Sequence, residues 1–203
     1  MQFDVLLIGG GVSSVSCGLV LGSAFKKPFA ASKKIGIITH QKSSSLQDAV
    51  FNNAYGISAG KLGADLLVET LEQLQSLYPH VTQIPSEKVL KIEGENGNFS
   101  VVTNKSVYQT KLVVIGIGAG NPFTIEGLEA FVIPHQKTIA EKNRIQLKNH
   151  DHLVKDGIYV CGVLAGWRSQ LSIAAGSGAS VATDILTLWN GGVHVHVHDS
   201  VRE

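Results

Sequence analysis

The chain has 203 residues, of which 44% are hydrophobic and 16% charged, and its net charge is +1. That length suits one domain with a buried core, and the apolar share excludes a disordered chain. The near-neutral balance gives no electrostatic reason to expect a nucleic-acid or membrane partner.

The first element is the apolar run Val5–Ile8, which ends in three glycines, Gly9 to Gly11. So short a run reads as a strand buried on both faces, as in a parallel sheet. It is too short for a signal segment or a membrane span, and no basic stretch precedes it, so a soluble, cytoplasmic protein is expected. A helix is predicted from Val12 to about Phe25. Its first turns carry Ser13, Ser14, Ser16, Cys17 and Gly18, small enough to press against a sheet. "IGIIT", residues 35–39, reads as a second buried strand. Together these segments have the size of one βαβ crossover, roughly 35 residues.

Residues 41–48 are polar and loop-like. Residues 57–78 predict a helix, with Leu62, Leu66, Leu67, Leu71, Leu74 and Leu77 at helical spacing and Pro79 as its stop. Strands are predicted at 88–94, 98–104 and 106–110, joined by turns at Asn96-Gly97 and Asn104-Lys105. "KLVVIGIGAG", residues 111–120, reads as a separate buried strand running into glycine. After a polar stretch at 136–156 come a strand at 157–162 and a helix at 169–189. The predicted fold is α/β and Rossmann-like, a parallel sheet with a small antiparallel β annex. It forms a single domain over 1–203: residues 1–135 carry the glycine loop, and 136–203 supply a short bridge, a closing strand and a last helix.

Gly9 and Gly11 form G-x-G between a buried strand and a helix, the context of a dinucleotide fingerprint. Gly9 would allow the tight turn, and Gly11 would let the backbone approach a pyrophosphate at the helix N-terminus. Ser14 stands where a third glycine is usual, and Thr39 and His40 end the second strand where an acid is usual. A hydroxyl or imidazole holds a ribose less strongly than a carboxylate. No Ser-His-Asp elbow, HExxH or Walker A motif is present.

Four segments in order resemble the FAD-binding domain of thioredoxin-reductase-like flavoproteins, within the pyridine nucleotide–disulfide oxidoreductases. They are "DVLLIGGGVSS", "NAYGISAGKLGADLLVETLEQL", "KLVVIGIGAGNPFTIEGLE" and "DGIYVCGVLAGWRSQLSIAAGSGASVATDI". The resemblance implies FAD as cofactor, with Gly9, Gly11, Val12 and Ser13 along its pyrophosphate and Thr39 and His40 near the adenosine ribose. It also implies Asn53 near the ribityl side, Val89 against the adenine, and Gly116 and Gly118 passing close to the cofactor. Gly162 and Val163 match a Gly-Asp pair of the family. Gln170, Leu171 and Ser172 would present a helix N-terminus to the flavin pyrimidine, where negative charge gathers on reduction.

The departures narrow the expected function. The family inserts an NAD(P)H domain before the closing strand, yet only about thirty residues separate Gly127 from Asp156, too few for such a domain. The two cysteines, Cys17 and Cys161, form no CxxC, which excludes the dithiol route of a thioredoxin reductase. They read as buried packing residues. Val163 removes a carboxylate partner for a ribityl hydroxyl. Electrons would come from a redox partner protein, a freely docking NAD(P)H or a small substrate, and an exposed flavin edge fits a partner or a homodimer. The alternatives are a non-catalytic nucleotide-binding relative with a regulatory or assembly role, and a single-domain NAD-binding protein.

Three further features stand apart. Trp167 and Arg168 would lie beside the flavin, one to stack and one to attract an anion, or else serve as a packing Trp and a surface Arg. Tyr55 would line the same pocket. His194, His196 and His198 alternate with valines. On a strand they would share one face about 7 Å apart, too wide for one metal ion, so an edge strand or interface tail is expected and no metal site.

Overall fold

Burial on both faces of the first strand, from Val5 to Ile8, places the sheet at the centre. In the computed structural model, which describes residues 2–40, 44 and 46–198, Gln2–Ile8 form β1. Leu6 and Ile8 enter one hydrophobic core, Val5 and Leu7 the other, on opposite faces of the sheet. The helix α1 follows at Val12–Ser23, then β2 at Ile35–Thr39. Two short strands, β3 at Val50–Phe51 and β4 at Lys61–Leu62, pair with each other ahead of α2 at Gly63–Leu77. Next come β5 (Val81–Pro85), β6 (Val89–Glu95), β7 (Asn98–Thr103) and β8 (Val107–Ile115). The chain closes with β9 (Val132–Pro134), β10 (Ile145–Leu147), β11 (Leu153–Lys155), β12 (Ile158–Val160) and α3 (Leu171–Trp189).

The main sheet runs β11-β12-β8-β1-β2-β5, with the β6–β7 ribbon joined to β8. Its centre, from β12 to β5, is parallel, and the edge additions are antiparallel. This is the predicted α/β class with its antiparallel annex. The helices α1 and α3 cover one face so closely that a Cβ on Gly178 would overlap the Ser13 carbonyl. Ser16 Oγ donates to Ala175 O across the same contact, at 2.8 Å. By length and composition α3 could cross a membrane, with 19 residues at a mean hydropathy of 1.3. Here its Val181, Ala182, Ile185 and Leu186 are packed into the second core.

Several elements differ from expectation. The helix predicted from residue 57 starts at Gly63, because Lys61 and Leu62 pair with β3 and Gly63 fits tightly over the Leu46 carbonyl. The strands predicted at 106–110 and from 111 are one strand, β8. The strand β5 was unforeseen. It lies parallel to β2 at the sheet edge. The polar stretch 136–156 contributes β10 and β11, and β10 pairs antiparallel with β9. The segment holding His194, His196 and His198 is not a strand.

Candidate functional site

The parallel strands end together at the edge where β1 runs into Gly9, β8 into Gly116 and β12 into Gly162. That is where ligands bind in open α/β sheets. Gly9 has φ +117°, a conformation other residues adopt at a cost, and a Cβ there would meet the Gly116 carbonyl at 2.5 Å. The turn therefore needs glycine whether or not a ligand is bound. Gly11 differs. It caps α1 with φ −84° and ψ 176°, and nothing lies within 4 Å of where its Cβ would be. Gly118 also has nothing within 4 Å of a Cβ. Packing does not require glycine at either position, yet both line the same cavity.

That cavity, of about 210 Å³, gathers Gly9, Gly11, Val12, Ser13, His40, Gly116, Gly118, Gly162 and Val163 from four separate stretches of chain. A second cavity of about 160 Å³ shares Gly9 and His40 with it and adds Glu87, Lys88 and Val89. Together they form an extended trough across the strand ends. The α1 N-terminus lines the first cavity, with no side-chain cap and no acid in its first turn. Such an end favours an anion.

Beneath the loop, Ser14 is fully buried, and its Oγ lies 3.2 Å from Ile8 O and 3.3 Å from Gly116 O. The hydroxyl thus replaces the third glycine by donating to the backbone that the helix packs on. Cys161 lies beside it. Burial pushes the Cys161 thiol up to about 11 despite hydrogen bonds with Ser13 and Ser14. Cys17 is likewise buried, and its thiol is raised by burial and by the neighbouring Cys161. Neither thiol has the exposure a dithiol relay needs.

Not every expected site residue reaches the trough. Thr39 is buried at 7% exposure and lines neither cavity, whereas His40, one residue on, lines both. Asn53 sits exposed in the turn between β3 and β4, and Tyr55 is 99% exposed. Gln170 caps α3, with Leu171 half-buried and Ser172 exposed. None of these three lines a cavity, but Ala174, one turn further on, does. Trp167, 40% exposed, stacks with His152 at 6.0 Å and lies under Lys137 Nζ at 4.3 Å, so its ring is engaged by side chains of the chain itself.

Two features escaped the sequence reading. Glu87, buried in the second cavity, accepts from Thr103 Oγ1 at 2.6 Å and from Tyr108 OH at 2.9 Å, tying the cavity wall to β7 and β8. Its signal was an acid just past a parallel strand, invisible while β5 went unrecognised. His135 is also buried. Lys137 N donates to its Nδ1 at 3.1 Å, so Nε2 carries the hydrogen and donates to Val163 O at 3.1 Å. The β9–β10 ribbon thereby steadies the Gly162–Val163 step.

The fold is an α/β domain of the Rossmann type, with its candidate site at the carboxyl ends of the parallel strands. The family model described as pyridine nucleotide-disulphide oxidoreductase matches residues 3–168, and the chain belongs to that family. No curated protein matches the sequence. The structure is similar to a thioredoxin reductase from Gloeobacter violaceus, with a TM-score of 0.71 at 12% identity over 98% of both chains. It is also similar to an oxidoreductase from Agrobacterium tumefaciens, with a TM-score of 0.70 at 14% identity over 93% of this chain and 99% of that one. A ferredoxin-flavin thioredoxin reductase from Clostridium acetobutylicum gives 0.68 at 15% identity over 93% and 99%. At these identities the likeness is one of fold.

Proposed function

We propose that this chain is a single-domain flavoprotein that binds FAD along the trough and serves as an oxidoreductase. The observation that carries the reading is the pair of glycines, Gly11 and Gly118, that line the cavity with open space at their Cβ positions. Side chains there would fill the path of a ligand, and nothing else in the fold asks for their absence. Gly11, Val12 and Ser13 would hold the pyrophosphate at the α1 N-terminus, while His40 and Val89 would border the adenosine. Gly116, Gly118, Gly162 and Val163 would flank the middle of the cofactor, and the α3 N-terminus at Gln170, Leu171 and Ser172 would face the flavin ring. Asn53 and Thr39 have the weaker claim, since neither reaches a cavity.

When bound, FAD would supply hydride and electron transfer. The chain's own share is binding, orientation and charge. The uncapped α1 N-terminus offsets the pyrophosphate charge, and the α3 N-terminus favours negative charge on the ring. The residues between Gly127 and Asp156 fold into short ribbons and turns, so we assign hydride or electron supply to a partner protein or a freely docking NAD(P)H. One similar structure carries ferredoxin in its name, which makes a protein donor worth testing first. We expect a soluble, cytoplasmic protein, with a homodimer as one way to cover the flavin edge.

Val163 favours a second reading. No carboxylate is present there to hold a ribityl hydroxyl, and the carbonyl of that residue is already engaged by His135. A non-catalytic nucleotide binder would tolerate that loss. The visible spectrum of the purified chain, followed by heat release and identification of any cofactor, is the deciding measurement. Flavin bands near one per chain are expected. A colourless protein that takes up no added FAD would overturn the flavoprotein reading. Bound FAD that neither NAD(P)H nor a reduced protein donor reduces would favour the second.

A further inference from the structure

The C-terminal histidines belong to a different part of the molecule. Val195 is buried at 6% exposure and Val197 packs beside it against the second core, so the segment after α3 is pinned through its valines. Asn190 Nδ2 donates to Val193 O at 3.1 Å and fixes its start. With the valines turned inward, the histidines are left on the outer side.

There the rings converge. The His194 and His196 rings meet edge to face with centroids 4.5 Å apart, and their Nε2 atoms are 3.2 Å apart. The sequence argument against a metal rested on strand spacing of about 7 Å. That spacing describes backbone positions. The rings extend well beyond the backbone and tilt toward each other, which brings the ligating nitrogens much closer. Two imidazole nitrogens on one tetrahedral ion, each 2.0–2.1 Å from the metal, stand about 3.3 Å apart.

We infer that His194 and His196 form a two-imidazole chelate for a divalent late transition metal of the zinc and copper class. Among the described residues no three such ligands already share a point. The third candidate is His198, whose ring lies 6.0 Å from that of His196, and water completes the remaining positions. Without metal, the two Nε2 atoms share one hydrogen. Metal binding moves that hydrogen to Nδ1 of the same ring by tautomer exchange through water, and both Nε2 lone pairs turn to the ion. Imidazole and water ligands suit copper(II) and zinc, with copper(II) the tighter.

The test is a titration of the full-length chain with copper(II), followed by electron paramagnetic resonance, and with zinc against a chromophoric chelator. One equivalent is expected, with nitrogen hyperfine structure from two imidazoles. Outer-shell changes alone weaken metal sites 10–100-fold, so removing a ligand in His196→Ala should cost at least about tenfold. His194→Ala serves as an independent repeat. His80→Ala, at a histidine whose ring lies tilted against Phe25 with centroids 5.2 Å apart, should leave binding unchanged. Absence of a bound equivalent in the wild-type chain, or binding untouched by both His194→Ala and His196→Ala, would overturn the proposal. Each variant is first checked for a native circular dichroism spectrum.

Discussion

Ser14 Oγ lies 3.3 Å from the carbonyl oxygen of Gly116, and it fills the space that a Cβ at position 116 would need. The two residues are 102 apart in sequence. Serine in place of the fingerprint's third glycine is therefore compensated across the sheet, by the glycine that follows the neighbouring strand. Gly116→Ala should destabilise the chain by about 1–3 kcal/mol through overpacking. Ser14→Gly should cost about 1 kcal/mol for its lost hydrogen bonds. The double variant should be more stable than the sum of the two, a coupling that denaturant unfolding of all four proteins would reveal. Simple additivity would show that the two residues do not share that space.

Gly118→Ala separates ligand space from packing space. Its Cβ meets nothing within 4 Å, so thermal stability should stay within about 0.5 kcal/mol of wild type. FAD affinity, read by flavin fluorescence on titration, should fall at least tenfold. A variant that unfolds early yet binds FAD normally would mean that this glycine serves the fold.

Val163→Asp should restore a carboxylate to the middle of the trough. A hydrogen bond to a charged group contributes about 1.5–3 kcal/mol, so FAD should bind roughly 10- to 100-fold more tightly. Unchanged affinity would place the ribityl chain away from residue 163.

Asp4 should dominate part of the acid limb of stability. Burial alone would raise its carboxyl, but the Lys34 amide and the Lys111 ammonium outweigh that and hold it below the ordinary carboxylate value. Lys34 N donates to Oδ2 and Lys111 Nζ to Oδ1, each at 2.9 Å, linking β1 to the start of β2 and to β8. Because the folded value is depressed, this stabilisation is present above about pH 4. It is lost as pH falls through the lower folded value. Asp4→Asn should cost about 1 kcal/mol at pH 7 and flatten the decline in urea midpoint at acid pH.

The two thiols should be inert in the native protein. Cys161 is held up to about 11 and Cys17 is also raised, both by burial. At pH 8 a thiol reagent should modify neither until the chain unfolds, and then both. With folded values above the unfolded ones, their contribution to stability is intact below about pH 8.5. It declines as pH rises toward 11, which denaturant unfolding at pH 8 and pH 10 would detect.

Strands buried on both faces were the legible part of the sequence. "LLI" and "IGIIT" are continuous apolar runs, and β1, β2, α1 and α3 all fall within a few residues of expectation. The edge strand β5 was not legible, since Thr82 is exposed, Gln83 half-buried and Pro85 ends it, leaving no apolar run. β8 was divided in two because its burial changes midway. Its first half alternates on an antiparallel partner, while Leu112–Ile115 are buried on both faces. Leucine spacing over-extended α2 to Leu62, which is 47% exposed and lies in β4. The glycine half of the site was readable because strand–glycine–helix punctuation is local. Glu87 and His135 were not, because their roles depend on partners far along the chain.

The sheet order also sets a schedule for synthesis. β1 emerges early, but one of its two neighbours comes more than a hundred residues later, since Leu6 pairs with Val113. At a ribosomal pace of roughly 5–20 residues per second, that edge waits on the order of 5–20 s for its partner. Meanwhile β1 presents unpaired backbone on an apolar strand, the kind of edge on which nascent chains aggregate. β8 must then be flanked in turn by β12, whose Ile158 pairs with the same Val113. The glycine turn at Gly9 and the wall at Gly116 thus meet late, and the trough between them can take shape only after β8 and β12 have joined the sheet.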